Sequence, residues 1–266
     1  MLYKQIKVDF LLNKVIKKDR LFLGDYTIDP YQNCEFGCKY CDSSFDKIIY
    51  IKNNADKILE KELKLVKKGR IILGSVHDPY QKAEKNFKLT KKLLNIIYKK
   101  GFPVHILTKS DLIIRDIDLL KKMKNCIVTI SIISVNNDIS KIFEENVINP
   151  KKRLKIVKKL TDNNINTGVA IIPILPFIIE NKLEECIKEI KEHNTKFLIH
   201  KYLELKGDQK VIFFKILNRH YPNFVKKYEE LYKDSYMPSN TYINNINKTI
   251  NEICKKYKLE NKILEK

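Results

Sequence analysis

The stretch NCEFGCKYC, from Asn33 to Cys41, holds three of the six cysteines in a chain of 266 residues. The spacing C-x3-C-x2-C puts Cys34, Cys38 and Cys41 on one loop, where three thiolates can converge on a single metal centre. Gly37 gives this loop the backbone freedom that it needs to wrap round an inorganic core. We interpret the stretch as a metal-binding loop.

Three interpretations of this loop are open. A structural zinc site needs four ligands, and no second C-x2-C or paired histidines follow in the chain. A [4Fe–4S] cluster held by three cysteines leaves its fourth iron open to a substrate or cofactor. Coincidence is the third interpretation. The missing fourth ligand favours the cluster, with zinc as its alternative.

Composition and apolar patterning predict a cytoplasmic globular protein with no membrane contact. The chain is 44% hydrophobic and 32% charged. Lys7, Asp9 and Lys14 interrupt the apolar residues of the N-terminus, unlike a signal peptide. The longest apolar run, Val169 to Ile179, is too short for a bilayer and contains two prolines. In a reducing cytosol the six cysteines stay available for metals or chemistry.

The net charge of +20, from 52 Lys and Arg against 32 Asp and Glu, has two explanations. A basic protein binds polyanions because neutralised phosphates release counterions. Lys, Asn and Ile also dominate the whole chain, however, as in a genome rich in A/T codons, and the lysines are spread over many helix faces. Nucleic acid is therefore a candidate partner and composition bias is the alternative.

Apolar strands alternate with amphipathic helices after the cysteine loop. We predict strands at Gly24–Ile28, Arg70–Val76, Val104–Lys109, Ile127–Ser134, Thr167–Ile174 and Phe197–Leu203. Helical spacing is found between them in the groups Ile58/Leu59/Leu63/Val66, Leu89/Leu93/Leu94/Ile97, Leu119/Leu120/Met123, Leu154/Val157/Leu160 and Leu183/Ile187/Ile190. About six βα units in series predict a parallel sheet, either open or barrel-like, and two helical segments follow at Asp208–Tyr232 and Thr241–Tyr257.

The cysteine loop, with an aromatic residue before its last cysteine, resembles the signature of the radical S-adenosylmethionine (SAM) superfamily. Further stretches are similar to its spore-photoproduct-lyase-like branch: DPYQN (Asp29–Asn33), LGSVHDPYQKAEKNFKLT (Leu73–Thr90), VHILTKSDLIIRDIDLL (Val104–Leu120), VTISIIS (Val128–Ser134), RLKIVKKLTDNNINTGVAIIPILP (Arg153–Pro176) and YEELYKDSYMP (Tyr228–Pro238). The resemblance covers almost the whole chain. It implies a partial (βα)6 barrel of the TIM type with a C-terminal helical extension, as one domain over residues 1–266 whose core spans about 20–206 and whose last helices span about 207–266.

The resemblance also implies the cofactors and their ligands. Cys34, Cys38 and Cys41 bind three irons of a [4Fe–4S] cluster, and SAM binds the fourth iron. The implied contacts with SAM are Tyr40 near the adenine, Ser75 at the amine, Lys109 at the carboxylate, Ser131 at the ribose or carboxylate, and Gly168 to Ile171 as an apolar wall. At the amine, His77, Asp78 and backbone groups are alternatives to Ser75. An external one-electron reductant of the flavodoxin or ferredoxin type is the implied partner.

The implied activity is cleavage of SAM to a 5′-deoxyadenosyl radical that abstracts hydrogen from a substrate, with nucleic acid as the favoured substrate class. Ser75 stands where the lyase proper has a hydrogen-donating cysteine, and Asp42 stands where relatives often carry an aromatic residue. Both departures argue against thymine-dimer repair. A non-catalytic iron–sulfur module that binds nucleic acid or senses redox state is the alternative function.

Overall fold

The structure is a computed structural model that describes residues 1–16, 21–44 and 46–264. The predicted start of the core, near residue 20, lies outside the described residues. The strands are β1 (Leu2–Ile6), β2 (Asn13–Lys14), β3 (Tyr26–Ile28), β4 (Tyr31–Gln32), β5 (Ile48–Lys52), β6 (Ile71–Leu73), β7 (Val104–Thr108), β8 (Ile127–Ser131), β9 (Asn166–Ile174) and β10 (Leu198–Tyr202).

The main sheet is an open barrel of parallel strands. Its strands lie in the order β10-β9-β8-β7-β6-β3-β2. The six strands from β3 to β10 in this row are parallel to their neighbours, and β2 alone pairs antiparallel at the edge. These six are the six strands predicted from the sequence. The prediction of a partial (βα)6 barrel is therefore confirmed.

A second, smaller sheet was not predicted. It has the order β1-β5-β4, with β1 and β5 parallel and β4 and β5 antiparallel. Its strand β1 has the sequence LYKQI and is exposed at its first four residues. This strand therefore has none of the continuous apolar character that marks a strand buried on both faces.

Helices connect the barrel strands and cover their outer face. They are α1 (Ala55–Glu62), α2 (Glu84–Phe87), α3 (Leu89–Lys100), α4 (Ile117–Lys122), α5 (Asn137–Phe143), α6 (Pro150–Asp162), α7 (Leu183–Glu192), α8 (Gly207–His220), α9 (Val225–Leu231) and α10 (Asn240–Lys256). Short 3₁₀ turns cover Asp42–Ser44, Asp111–Asp116, Glu180–Lys182 and Pro222–Phe224. Among the described residues, none of these helices is long and apolar enough to span a membrane.

The C-terminal extension is helical as predicted, but its first segment is divided. The helical segment predicted over Asp208–Tyr232 consists of two helices, since α8 ends at His220 and α9 begins at Val225. Pro222 explains the break, since a proline ring disfavours the α conformation at the residue before it. Tyr221 accordingly has φ −141° and ψ 54°, outside the helical region.

The two faces of the barrel strands have different neighbours. On β9, Val169 and Ile171 join the main core with the surrounding helices, whereas Ala170 joins a smaller cluster inside the barrel with Phe197 and Ile199. Successive side chains of a strand point to opposite faces, so residues of one parity face the interior. At the carboxyl ends of the strands this interior opens into the cavity described below.

Gly74, directly after β6, provides a test of how closely the barrel strands approach one another. Its φ is +91°, and a Cβ atom there would lie 2.5 Å from the Leu107 carbonyl oxygen and 2.5 Å from Pro79 Cδ. Gly207 also has a positive φ, of +53°, but a Cβ atom would meet nothing within 4 Å.

We expect Gly74→Ala to lower the free energy of unfolding by at least about 2 kcal/mol, because it adds a steric clash to the left-handed backbone cost. Gly207→Ala carries only the backbone cost, about 1 kcal/mol. Urea denaturation of both variants beside the wild type measures the difference. Equal losses in the two variants would contradict the close approach at Gly74.

Candidate active site

A cavity of about 270 Å³ lies at the carboxyl ends of the barrel strands. It brings together most of the site residues predicted from the sequence. These are Cys34, Cys38, Cys41, Tyr40, Ser75, Lys109 and Ser131. In parallel α/β folds this edge is where ligands bind, because loops from several strands meet there.

The three cysteines of the loop are free thiols on the wall of the cavity. Cys34 and Cys38 are buried and Cys41 is half-buried. Burial raises the pKa of Cys34 to about 12, with the Asp78 carboxylate acting in the same direction. Burial also raises the pKa of Cys38. Thiolates here therefore need a compensating positive charge, which a bound metal centre provides.

Backbone hydrogen bonds connect the cysteine loop to the turn that follows it. The Cys34 N–H donates to the Ser43 carbonyl at 2.8 Å, and the Cys41 N–H donates to the Cys38 carbonyl at 3.1 Å. Within the described ranges, no three His, Cys, Asp or Glu side chains are arranged to hold a single metal ion. Cysteines that each bind a different iron of a cluster need not meet at one point.

The segment after β6 holds the start of the loop. Gln81 accepts from the Glu35 N–H at 3.0 Å and donates to the Asn33 carbonyl at 3.0 Å. The Glu35 carboxylate in turn accepts from the Ala83 N–H at 2.7 Å. Both Glu35 and Gln81 are buried, so these bonds satisfy polar groups that water does not reach.

A buried ion pair holds the end of the loop. The Tyr40 hydroxyl donates to Glu144 Oε1 at 2.5 Å. Glu144 Oε2 accepts from Arg153 at 2.5 Å and from the Ser140 hydroxyl at 3.1 Å. Arg153 also donates to the Ser131 carbonyl, at the end of β8, at 2.7 Å. Glu144 and Arg153 therefore connect the cysteine loop to the barrel.

Sequence reasoning missed this ion pair. One signal was available: Arg153 shares the buried face of α6 with Val157 and Leu160, four and seven residues later. An arginine in an apolar stripe needs a buried partner, since charged side chains are almost never fully buried unless paired. The spacing gives no indication that the partner is Glu144.

Asp78 connects the loop after β6 to the end of β7. Its carboxylate accepts from the Thr108 hydroxyl at 2.7 Å, from the Lys109 N–H at 2.7 Å and from the Tyr80 N–H at 2.9 Å. Burial raises the pKa of Asp78, against the effect of these hydrogen bonds. The side chain also lines the cavity, so it is a carboxylate available to a ligand.

Lys109 places a cation at the end of β7. Its Nζ lies 5.9 Å from the centroid of the Tyr40 ring. Burial acts to lower the pKa of Lys109, but the ionisable groups around it outweigh burial and raise the pKa; they are Cys38, Glu144, Asp78 and Cys41. The ammonium therefore stays charged beside the three thiols.

Ser75 lines the cavity, whereas His77 does not. The Ser75 hydroxyl donates to Asp29 Oδ2 at 3.4 Å, and the His77 N–H donates to Asp29 Oδ1 at 3.1 Å. Asp29 follows β3, in the DPYQN stretch that precedes the cysteines. Burial lowers the pKa of His77, with the Asp29 carboxylate acting in the opposite direction. His77 Nδ1 lies 3.9 Å from Asp29 Oδ1.

The structure does not bring Gly168 and Ile171 to the cavity. Ile171 belongs to the main core on the outer side of the sheet, and Gly168 faces the Phe197 ring, which leaves no room for a Cβ atom. Ile172 and Pro173, further along β9, line the cavity instead. The Ser131 hydroxyl donates to the Ile172 carbonyl at 3.4 Å.

Another part of the cavity wall comes from the end of β10 and the start of α8, which sequence reasoning did not select. Its residues are Lys201, Tyr202, Leu203, Glu204, Lys206 and Gln209. Glu204 forms ion pairs with Lys201 at 2.6 Å and with Lys206 at 3.3 Å. Gln209 donates to the Tyr40 carbonyl at 2.9 Å, so α8 also contacts the cysteine loop.

Two solved structures share this fold. A spore photoproduct lyase mutant with bound AdoMet and dinucleoside spore photoproduct superimposes with a TM-score of 0.71 and 15% identity, over 96% of this chain and 79% of the lyase chain. Streptococcus suis SuiB bound to S-adenosylmethionine superimposes with a TM-score of 0.54 and 14% identity, over 76% of this chain and 48% of SuiB.

Sequence comparison gives closer relatives. An uncharacterized protein of Methanocaldococcus jannaschii is 33% identical over 220 residues, which cover 79% of this chain and 81% of the relative. An uncharacterized protein of Mycobacterium tuberculosis is 25% identical over 255 residues, with 88% and 75% coverage. The sequence model of the radical SAM superfamily matches residues 28–190. The chain therefore belongs to the radical SAM superfamily of enzymes.

Proposed function

We propose that the chain binds a [4Fe–4S] cluster through Cys34, Cys38 and Cys41, binds SAM beside it, and abstracts a hydrogen atom from a substrate. One observation carries the proposal: the three thiols share their cavity with the Lys109 ammonium and the Asp78 carboxylate. These two charges complement the carboxylate and the amine of an amino acid, which is the end of SAM that chelates iron. Superfamily membership implies both cofactors, an iron–sulfur cluster and SAM.

The residues present fit an iron–sulfur cluster. Thiolates are the ligands that such clusters take, and three of them leave one iron open. When bound and reduced, the cluster supplies one electron that cleaves the S–C5′ bond of SAM to methionine and a 5′-deoxyadenosyl radical, which takes a hydrogen atom from the substrate. An external reductant is needed for that electron, and we propose one of the flavodoxin or ferredoxin type.

The chain's own residues bind and orient SAM. Lys109 pairs with the carboxylate of SAM, and the Asp78 carboxylate accepts from the amine of SAM. The hydrogen bonds of Asp78 fix the backbone at both residues. Ser75 is a second candidate for the amine, although its hydroxyl already donates to Asp29. Tyr40 lies beside the adenine, and Ser131 is a candidate contact of the ribose or the carboxylate, although its hydroxyl already donates to the Ile172 carbonyl.

We place the apolar wall for the adenine at Ile172 and Pro173 rather than at Gly168 and Ile171. The reason is that Ile172 and Pro173 face the cavity, whereas the other two residues pack elsewhere. An adenine needs a flat apolar surface and the backbone groups at its edge, which the end of a strand supplies.

Nucleic acid is the substrate class that we propose. The net charge of +20 favours a polyanion, and the fold is similar to that of a lyase solved with a dinucleoside spore photoproduct. The same reaction as the lyase is not proposed, because Ser75 and Asp42 stand at positions where the sequence departs from it. The O–H bond of a serine is too strong for easy hydrogen-atom donation.

We expect anaerobically reconstituted protein with dithionite and SAM to release 5′-deoxyadenosine. Cys34→Ala, Cys38→Ala and Cys41→Ala remove an iron ligand and abolish both the bound iron and this product. Cys126→Ala is the matched control, because Cys126 is buried at the amino end of β8. This variant keeps both the bound iron and the release of 5′-deoxyadenosine. Iron analysis and chromatography measure the outcome. Bound iron without 5′-deoxyadenosine in the wild type would favour the non-catalytic iron–sulfur module instead.

Lys109→Met is expected to weaken SAM binding at least about tenfold, because a hydrogen bond to a charged group contributes roughly 1.5–3 kcal/mol. Lys92→Met, on the exposed face of α3, is the control and leaves the affinity unchanged. Equilibrium dialysis with labelled SAM measures both. Equal dissociation constants for the two variants would remove Lys109 from the SAM site.

We expect DNA binding that falls at least about tenfold between roughly 50 and 200 mM salt. If the polyanion reaches the cavity, Lys201→Gln together with Lys206→Gln reduces both the affinity and the salt slope. Lys158→Gln is the control, because Lys158 and Lys201 are both 51% exposed and both are ion-paired with an acidic residue of the same segment. Fluorescence anisotropy measures the slopes. Salt-independent binding, or equal slopes in all variants, would reject this substrate class at the cavity.

A further inference from the structure

Glu144 is a buried carboxylate that binds Tyr40 of the cluster-binding loop and an arginine that contacts the barrel. It lies after α5, and its side chain is fully buried. Each oxygen has a different partner: Oε1 accepts from Tyr40, and Oε2 accepts from Arg153 and Ser140. Neither oxygen of the carboxylate is therefore left without a hydrogen bond.

The backbone around Glu144 follows the cysteine loop as closely as the side chain does. Cys38 and Glu144 form an isolated antiparallel bridge. The Lys39 N–H donates to the Phe143 carbonyl at 2.8 Å, and the Asn146 N–H donates to the Phe36 carbonyl at 3.0 Å. The segment from 143 to 146 therefore fixes the loop on both sides of Cys38.

The charge of Glu144 is directed toward the loop. Arg153 binds Oε2, the oxygen away from Tyr40, and holds the carboxylate in its ionised form. Oε1 faces the loop, because the Tyr40 hydroxyl that it binds belongs to the residue directly before Cys41. In a buried site the field of this charge is weakly screened.

We propose that Glu144 is a positioning residue that fixes the loop at Cys38 and, through its buried negative charge, lowers the reduction potential of the cluster bound there. The inference rests on the proposed function. Adding an electron near a fixed negative charge costs free energy, and net charge and burial are among the factors that set cluster potentials. A low potential is what the reductive cleavage of a sulfonium requires of the cluster.

Glu145 provides a matched comparison within the same segment. It has the same charge one residue later, but its side chain is 61% exposed and its ion pair with Lys39, at 2.5 Å, lies at the surface. Solvent screens a charge in this position. If burial strengthens the effect of a charge on the cluster, removing the Glu144 charge changes the reduction potential more than removing the Glu145 charge.

The experiment is a redox titration of the reconstituted full-length protein, followed by electron paramagnetic resonance of the reduced cluster. It compares the wild type with Glu144→Gln and Glu145→Gln at equal iron content. We expect Glu144→Gln to shift the midpoint potential to a more positive value and Glu145→Gln to leave it unchanged. A residue with a purely structural role would change iron content or stability without this shift.

If Glu144→Gln does not fold because Arg153 is left unpaired, the double variant Glu144→Gln/Arg153→Met takes its place. It removes both buried charges. Because the Glu144 charge is the one on the side of the cysteine loop, its loss still shifts the reduction potential upward, by a smaller step. A potential equal to that of the wild type in the folded variant overturns the inference. A wild type without any redox-active iron rejects the proposed function itself, so the two failures are distinguishable.

Discussion

The fold depends on one constraint: a buried loop without regular structure must find hydrogen-bond partners for its backbone outside itself. The loop from Asn33 to Cys41 pairs with no strand of either sheet along its length, apart from a bridge at Cys38. Partners come from Gln81 in the loop after β6, from the backbone of residues 143 to 146 at the end of α5, and from Gln209 in α8. Because an unpaired buried polar group is costly, the loop adopts its shape only when all three are in place.

These partners explain why the site needs the whole chain rather than the barrel alone. The strands bring Asp78 and Lys109 to one edge, since the carboxyl ends of parallel strands meet there. The part of the wall from β10 and α8 depends on the C-terminal helices: the Tyr232 hydroxyl donates to the Leu203 carbonyl at 2.9 Å, and the Tyr202 hydroxyl donates to Asn247 Oδ1 at 2.8 Å. The helical extension is thus a structural part of the cavity.

The barrel could be predicted from the sequence because strands buried on both faces are continuous apolar runs. The small sheet could not, since β1 is exposed and β4 has only two residues. The residues of β9 that line the cavity could not be predicted for a different reason. A strand alternates faces at every residue, so a shift from Ile171 to Ile172 exchanges the helix side for the cavity side. An apolar run such as GVAIIPI carries no signal of which parity faces inward.

The cavity does not share the strongly positive charge balance of the whole chain. The net charge is +20, whereas the cavity wall holds three lysines, Lys109, Lys201 and Lys206, and three acidic residues, Asp42, Asp78 and Glu204. Lys109 lies in the cavity with the three thiols and Asp78, and Arg153 pairs with the buried Glu144 behind the loop. Exposed lysines set the electrostatic potential just outside the surface, where solvent and salt screen it. A few buried charges set the potential at the thiols. The composition of the chain is therefore relevant to the partner that approaches the surface. The buried Glu144–Arg153 ion pair is relevant to the chemistry in the cavity.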